Sequence, residues 1–88
     1  MKPKIGRKLY FIYGDGIFSD TVGFLGKYSF IVNSFNEGTN EDSWEWDYDD
    51  YNVQWFTTLA AAKKALIARF EDKPKIVKVR DGYWSVKE

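Results

Sequence analysis

Apolar and polar residues alternate along most of this chain with the two-residue period of a half-buried β-strand. Glycine, asparagine and aspartate interrupt the alternation at short intervals, as they do at tight turns. Gly23 falls inside one alternating segment and predicts a bulge or a sharp bend there. The pattern predicts six strands, at residues 8–13, 17–25, 28–35, 44–51, 75–80 and 83–87.

One segment changes to the period of a helix. Residues 59–70 are built largely from alanine, leucine and lysine, which are strong helix formers. Thr58 precedes the segment as a suitable N-cap, and Pro74 marks the exit. The spacing places four apolar side chains on one stripe of the predicted helix: Leu59, Ala62, Leu66 and Phe70.

The predicted strands follow one another through short connections, so we expect an antiparallel sheet. A small sheet with several glycine corners tends to curl into a partly closed barrel, and the helix would cover one open end or face of it. The 88 residues, of which 19% are aromatic, can fill one small core with large side chains. The sequence therefore predicts a single α+β domain over residues 1–88, with a partly closed barrel of five to six strands.

Two stretches resemble known proteins. The segments KLYFIY (residues 8–13) and IFSDTVGFL (residues 17–25) resemble the first hairpin of small SH3-like barrel proteins. The run WFTTLAAAKKAL (residues 55–66) is similar to an element that recurs in short uncharacterised proteins of Gram-positive bacteria and their phages. This resemblance implies an SH3-like fold and residence on a phage or another mobile element. It implies no catalytic residues.

Composition argues against several classes of function. The chain has no cysteine and no histidine, so it lacks a thiolate nucleophile and the commonest general base and transition-metal ligand. The absence of cysteine suits a reducing cytoplasm, where we expect the protein to act. No apolar run approaches the roughly 18 residues of a membrane span. We therefore predict a cytoplasmic protein that is not an enzyme, binds no cofactor and does not enter a membrane.

The most unusual stretch is residues 36–58, which holds seven carboxylates and no lysine or arginine. Within it, Trp44, Trp46 and Tyr48 alternate with acids, so a strand would place rings on one face and carboxylates on the other. The carboxylates could hold Ca²⁺, but the spacing lacks the glycine and closing glutamate of an EF-hand, and acids along a strand do not converge on one point. We predict no metal site.

This acidic stretch carries the leading hypothesis about function. Carboxylates in a row resemble the charge of a nucleic-acid backbone, and they would attract a basic surface on another protein. The hypothesis is a protein-interaction module, of the kind that a phage inhibitor would present to a basic host protein. The other interpretation is that the rings are core and the acids are the hydrated side of an edge strand. The predicted partner-binding residues are Glu41, Asp42, Glu45, Asp47, Asp49, Asp50 and Tyr51.

The two ends of the chain support an alternative. Residues 28–62 carry a net charge of −7 and the remaining residues +7, and eight of the thirteen basic side chains lie in residues 2–8 and 75–87. Basic side chains beside exposed rings bind single-stranded nucleic acid, although a sequence pI near 6.3 also fits ordinary surface lysines. Simple alternation would place Lys78 and Arg80 on one face. The predicted nucleic-acid-binding residues are Lys8, Lys75, Lys78, Arg80, Tyr83 and Lys87.

Overall fold

The computed structural model of this chain describes residues 2–32 and 45–87. These residues form seven strands, one α-helix and one 3₁₀ helix, the last at Tyr48–Asp50. The first four strands are β1 (Lys8–Tyr13), β2 (Gly16–Leu25), β3 (Ser29–Val32) and β4 (Glu45–Asp47). The rest are β5 (Trp55–Phe56), the helix α1 (Leu59–Ile67), β6 (Ile76–Arg80) and β7 (Tyr83–Val86).

Five of the strands make a curled antiparallel half-barrel in the order β4-β3-β2-β1-β5. The long strand β2 joins this half-barrel to the β6–β7 hairpin, because different parts of it pair with different neighbours. Its first residues, Gly16–Phe18, pair with β7, whereas Val22–Leu25 pair with β3. The class is therefore α+β, as predicted, with a curled sheet and one helix packed on it.

The buried side chains form two clusters on opposite faces of β1. The first, here called the barrel core, fills the hollow of the half-barrel: Leu9, Phe11, Val22, Phe30, Val32, Trp46, Tyr48 and Trp55. The second, here called the helix core, lies between the sheet and α1: Ile12, Ile17, Phe56, Ala62, Leu66 and Trp84. Successive residues of a strand point to opposite faces. Strand β1 therefore supplies both cores, which explains its dense apolar sequence.

Several sequence predictions are confirmed. The β1–β2 and β6–β7 hairpins form where the turn residues indicated, with Gly14 and Gly82 at positive φ of 60° and 80°. The pairing of β2 with β3 shifts register between Val22 and Phe24, so the bulge expected at Gly23 is present. The predictions for residues 33–35 and for Trp44 lie outside the described residues.

The predicted strand over residues 44–51 is wrong beyond Asp47. The chain leaves the sheet at Tyr48, whose backbone N–H donates to the Tyr28 carbonyl at 3.1 Å and whose hydroxyl donates to the Gly26 carbonyl at 2.7 Å. These bonds fix Tyr48 against the β2–β3 turn, and a 3₁₀ helix follows instead of further alternation. The turn that comes next leads into β5, a short strand at Trp55–Phe56 that runs into the capped helix α1.

The helix also ends earlier than predicted, at Ile67 instead of Phe70. The backbone N–H groups of Arg69 and Phe70 donate to the carbonyls of Leu66 and Ile67, three residues back, at 3.1 Å each. Bonds of this kind tighten the last turn of a helix and end it. Phe70 still packs against the helix core, so the apolar stripe extends past the helix that carries most of it.

The N-cap of α1 gives a first prediction. The Thr58 hydroxyl accepts a hydrogen bond from the Ala61 N–H at 3.2 Å, as the sequence predicted. Replacing Thr58 with alanine removes this acceptor and is expected to lower the free energy of unfolding by about 1 kcal/mol in urea titrations. Thr58→Ser keeps the hydroxyl and should stay within about 0.5 kcal/mol of wild type. An equal loss in both variants would contradict a capping role.

Candidate binding faces

The acidic edge consists of the four predicted acids that the structure describes: Glu45, Asp47, Asp49 and Asp50. Strand β4 is the outer strand of the half-barrel, where it pairs only with β3 among the described strands. Glu45, Asp47 and Asp49 are exposed, and Asp50 is half-buried. Within residues 2–32 and 45–87, none of these four carboxylates forms an ion pair. Their charge is therefore not neutralised by direct contact with a lysine or arginine of the described chain.

Buried rings hold the backbone of this edge in place. Trp46 and Tyr48 point into the barrel core, where Trp46 lies 4.7 Å from Phe11 between ring centroids and Tyr48 stacks on Phe30. The indole Nε1 of Trp55 donates to the backbone carbonyl of Asp47 at 2.9 Å. The alternation of outward acids with inward rings is thus confirmed from Glu45 to Tyr48.

Other predicted partner-binding residues behave differently. Tyr51 is half-buried and packs on Trp55 at 4.9 Å, so its ring supports the barrel core more than it projects outward. The Asp50 carbonyl accepts hydrogen bonds from the N–H groups of Val53 and Gln54, and Asp50 therefore anchors the turn into β5. Glu41 and Asp42 lie outside the described residues. The rings that the sequence placed beside the acids are thus mainly part of the scaffold.

One basic side chain comes close to the acidic edge from the N-terminal segment. The Nζ atom of Lys2 lies 5.5 Å from the centroid of the Tyr48 ring. A cation in this position reduces the negative potential locally without pairing with a carboxylate. Lys2 therefore contacts a ring that anchors the edge and leaves its described carboxylates without an ion pair.

The predicted basic face is divided between the two faces of the sheet. Lys78 is opposite Trp84 and Arg80 is opposite Tyr83, because the register of β6 and β7 shifts between Lys78 and Arg80. Trp84 and Tyr83 are consecutive and point to opposite faces. The expectation that Lys78 and Arg80 share a face is therefore wrong, and the extra residue of the bulge is the physical reason.

Lys8 and Lys78 lie on the face of the sheet that α1 covers. The Lys8 ammonium is 6.0 Å from the ring of Tyr10, which packs against the helix core. The Lys78 ammonium forms an exposed ion pair with Asp81 at 3.0 Å. This hydrogen bond and the charge of Lys78 lower the pKa of the Asp81 carboxyl. Lys78 is thus already partnered within its own hairpin.

The remaining predicted basic residues lie on the opposite face of the hairpin. The Lys87 N–H donates to the Lys75 carbonyl at 2.8 Å and continues the β6–β7 ladder by one pair. By alternation, Lys75 and Lys87 share the face of Tyr83 and Arg80. We call this surface the aromatic–basic face. It is formed by Tyr13, Phe18, Lys75, Arg80, Tyr83 and Lys87.

Phe18 and Tyr13 belong to this face although the sequence did not single them out. Phe18 is directly opposite Phe11 on β1 and Tyr83 on β7, and it stacks on Tyr83 with ring centroids 4.6 Å apart. Tyr13 meets Phe18 edge-on at 6.3 Å. In the sequence, the only indication was that Tyr13 and Phe18 alternate with residues of the helix core and so point to the opposite face. The pairing of β2 with β7 then shows that this face also carries Tyr83.

The described residues offer no sign of two other kinds of site. No group of three or more carboxylates among residues 2–32 and 45–87 is placed to hold a metal ion. In the same part of the chain, no helix has the length and apolarity needed to cross a bilayer.

The fold and its surfaces define a small α+β half-barrel with an acidic edge and a separate aromatic–basic face. Comparisons of the chain with protein-family models, with curated proteins and with solved structures find no match.

Proposed function

We propose that this protein is a non-enzymatic interaction module that binds a basic protein through the acidic edge. One observation carries the proposal: Glu45, Asp47 and Asp49 are exposed and form no ion pair in the described chain, on a backbone that Trp55 fixes. A surface whose charges form no ion pair projects a field into solvent and accelerates association with an oppositely charged partner. The anchored backbone reduces the ordering cost of binding.

The finer identity that we propose is an SH3-like inhibitor encoded by a phage or another mobile element. Its acidic edge would occupy the nucleic-acid groove of a host protein in the bacterial cytoplasm. The resemblance of the first hairpin and of residues 55–66 to short phage and Gram-positive proteins supports this identity. Since Trp46 and Tyr48 are buried, the recognition is electrostatic, with the rings serving to hold the carboxylates in position.

A charge reversal on the acidic edge tests the proposal. The double variant Asp47→Lys with Asp49→Lys is expected to fold normally, because both side chains are exposed. Its capture of basic proteins from a bacterial lysate at about 50 mM salt should fall at least about tenfold by quantitative mass spectrometry. Duplex DNA should displace the proteins that the wild type captures, since they would meet the acidic edge through a nucleic-acid groove.

The matched control reverses two exposed acids elsewhere, with Glu71→Lys and Asp72→Lys. This pair changes the net charge by the same amount and lies after the helix, outside β4 and the 3₁₀ helix. We expect the control to capture the same proteins as wild type. Undiminished capture by the Asp47 and Asp49 variant would refute the proposal. An equal loss in both variants would show that net charge alone accounts for capture.

A further inference from the structure

The aromatic–basic face is separate from the acidic edge and open to solvent along much of its length. It lies on the sheet face opposite α1, across β1, β2, β7 and β6. Tyr13 is 61% exposed and Val79, in the bulge of β6, is 56% exposed. Lys75, Arg80 and Lys87 are also exposed. One face of the sheet thus carries both partly exposed rings and cations. Such a grouping is unusual for a hairpin whose role is only structural.

The rings on this face form a continuous row in a fixed arrangement. Tyr13 meets Phe18, Phe18 stacks on Tyr83 with an interplanar angle of 27°, and the Arg80 guanidinium lies 5.6 Å from the centroid of Tyr83. Gly16 makes this possible, because an added Cβ there would approach Tyr83 Cε1 to 2.6 Å. The missing side chain lets the Tyr83 ring lie against the sheet. The row is therefore ordered before any ligand arrives.

The charges around the row have the sign that a polyanion requires. Arg80 is at one end of the row, and Lys75 and Lys87 extend the same face along the hairpin. Asp20, opposite Leu9, also points to this side of the sheet, but it is part-buried and accepts the Thr21 N–H at 2.8 Å. The sheet thus presents three exposed cations and one partly buried carboxylate on this side, with Asp15 and Asp81 exposed in the flanking turns and Asp81 paired with Lys78.

We propose that the aromatic–basic face binds single-stranded nucleic acid. Flat rings in a row accept unstacked bases, which a duplex does not expose, while nearby cations follow the phosphate backbone. Stacking on a ring is tolerant of base identity, so the binding is expected to show little sequence preference. The exposed Tyr13 ring offers the stacking face, the half-buried Phe18 and Tyr83 rings support it, and Arg80, Lys75 and Lys87 meet the phosphates. This site is independent of the acidic edge and does not rest on the function proposed for it.

Fluorescence anisotropy with labelled dT15 and U15 tests the proposal. Wild-type protein should bind both at about 50 mM salt, and the affinity should fall about 20-fold by 200 mM, as three phosphate contacts on a single strand require. Arg80→Glu should weaken binding about tenfold and reduce the salt slope. Tyr13→Ala, which removes an exposed ring, should weaken binding about fivefold or more.

The chain provides a matched control for each variant. Lys78→Glu changes the same strand and the same charge on the opposite face, and Tyr28→Ala removes a 73% exposed ring with Lys27 beside it, outside the row. Both should bind dT15 within about twofold of wild type. The proposal is overturned by an absence of binding at 50 mM salt or by equal losses in the controls. Equal affinity for duplex DNA, or equal displacement by poly-glutamate, would also overturn it, since either would identify a general polyanion surface.

Discussion

Trp55→Ala is expected to lower the free energy of unfolding by about 3–5 kcal/mol, as truncation of a fully buried tryptophan does. The side chain has no exposed surface, and its ring contacts Phe30 at 5.1 Å and Tyr51 at 4.9 Å. Its Nε1 also holds the Asp47 carbonyl, so the variant frees the end of β4. The loss is a large share of the roughly 4–13 kcal/mol that an 88-residue domain has in total.

Urea unfolding followed by far-UV circular dichroism measures this loss. Trp55→Phe keeps a buried ring but gives up the hydrogen bond to Asp47, and we expect it to cost about 1–2 kcal/mol. Phe24→Ala removes a ring that is 58% exposed and should remain within about 0.5 kcal/mol of wild type. A loss below about 1 kcal/mol for Trp55→Ala would show that the barrel core does not depend on this residue.

The parts of the fold that were predictable are those that neighbouring residues determine. The turn at Gly14 requires positive φ, and the cap at Thr58 requires a side-chain oxygen beside a free N–H group three residues on. The bulge at Gly23 likewise follows from a residue without a side chain in a strand. Each of these signals lies within a few positions of the structure that it produces.

The parts that were not predictable depend on partners far away in the sequence. Tyr48 leaves the strand pattern because its hydroxyl bonds to Gly26, 22 residues earlier. Alternation alone could not show this, since WEWDYD keeps the strand period through Asp49 and is interrupted only at Asp50. The end of the helix is hard to predict for a similar reason. Arg69 and Phe70 still belong to a stretch rich in helix formers, but their backbone N–H groups already bond to carbonyls three residues back.

The two candidate faces differ in how far the sequence could reveal them. The acidic edge was visible from composition, because residues 36–58 hold seven carboxylates and no lysine or arginine. The inward rings at Trp46 and Tyr48 were predicted too, whereas Tyr51, which was predicted to bind a partner, packs on Trp55 instead. The aromatic–basic face needed the register of three strand pairs, since Phe18 meets Tyr83 only through pairing and Arg80 changes face only through a bulge.

The hairpin that carries most of this second face depends on Trp84. Three residue pairs join β7 to β2, and Trp84 connects the same hairpin to the helix core, where it meets Tyr10 edge-on at 5.9 Å. Trp84→Ala is therefore expected to lower the free energy of unfolding by about 3–5 kcal/mol. Hydrogen exchange should show the loss first in the hairpin, at the N–H of Ser19 that bonds to Gly82 and the N–H of Val86 that bonds to Asp15.

The two tryptophan variants together separate the faces. Under conditions where both remain mostly folded, Trp84→Ala should reduce binding of dT15 through local opening of the hairpin and leave capture of basic proteins near wild type. Trp55→Ala should reduce capture of basic proteins and leave binding of dT15 near wild type, because it loosens β4 and leaves β7 in place. Lys78→Ala, on an exposed position of β6 and on the face opposite the row, controls for changes in the hairpin that leave the helix core intact. If the Ser19 and Val86 amides of Trp84→Ala exchange no faster than the Tyr48 amide of the half-barrel, the hairpin is not a separate unit of stability, and the faces cannot be uncoupled in this way.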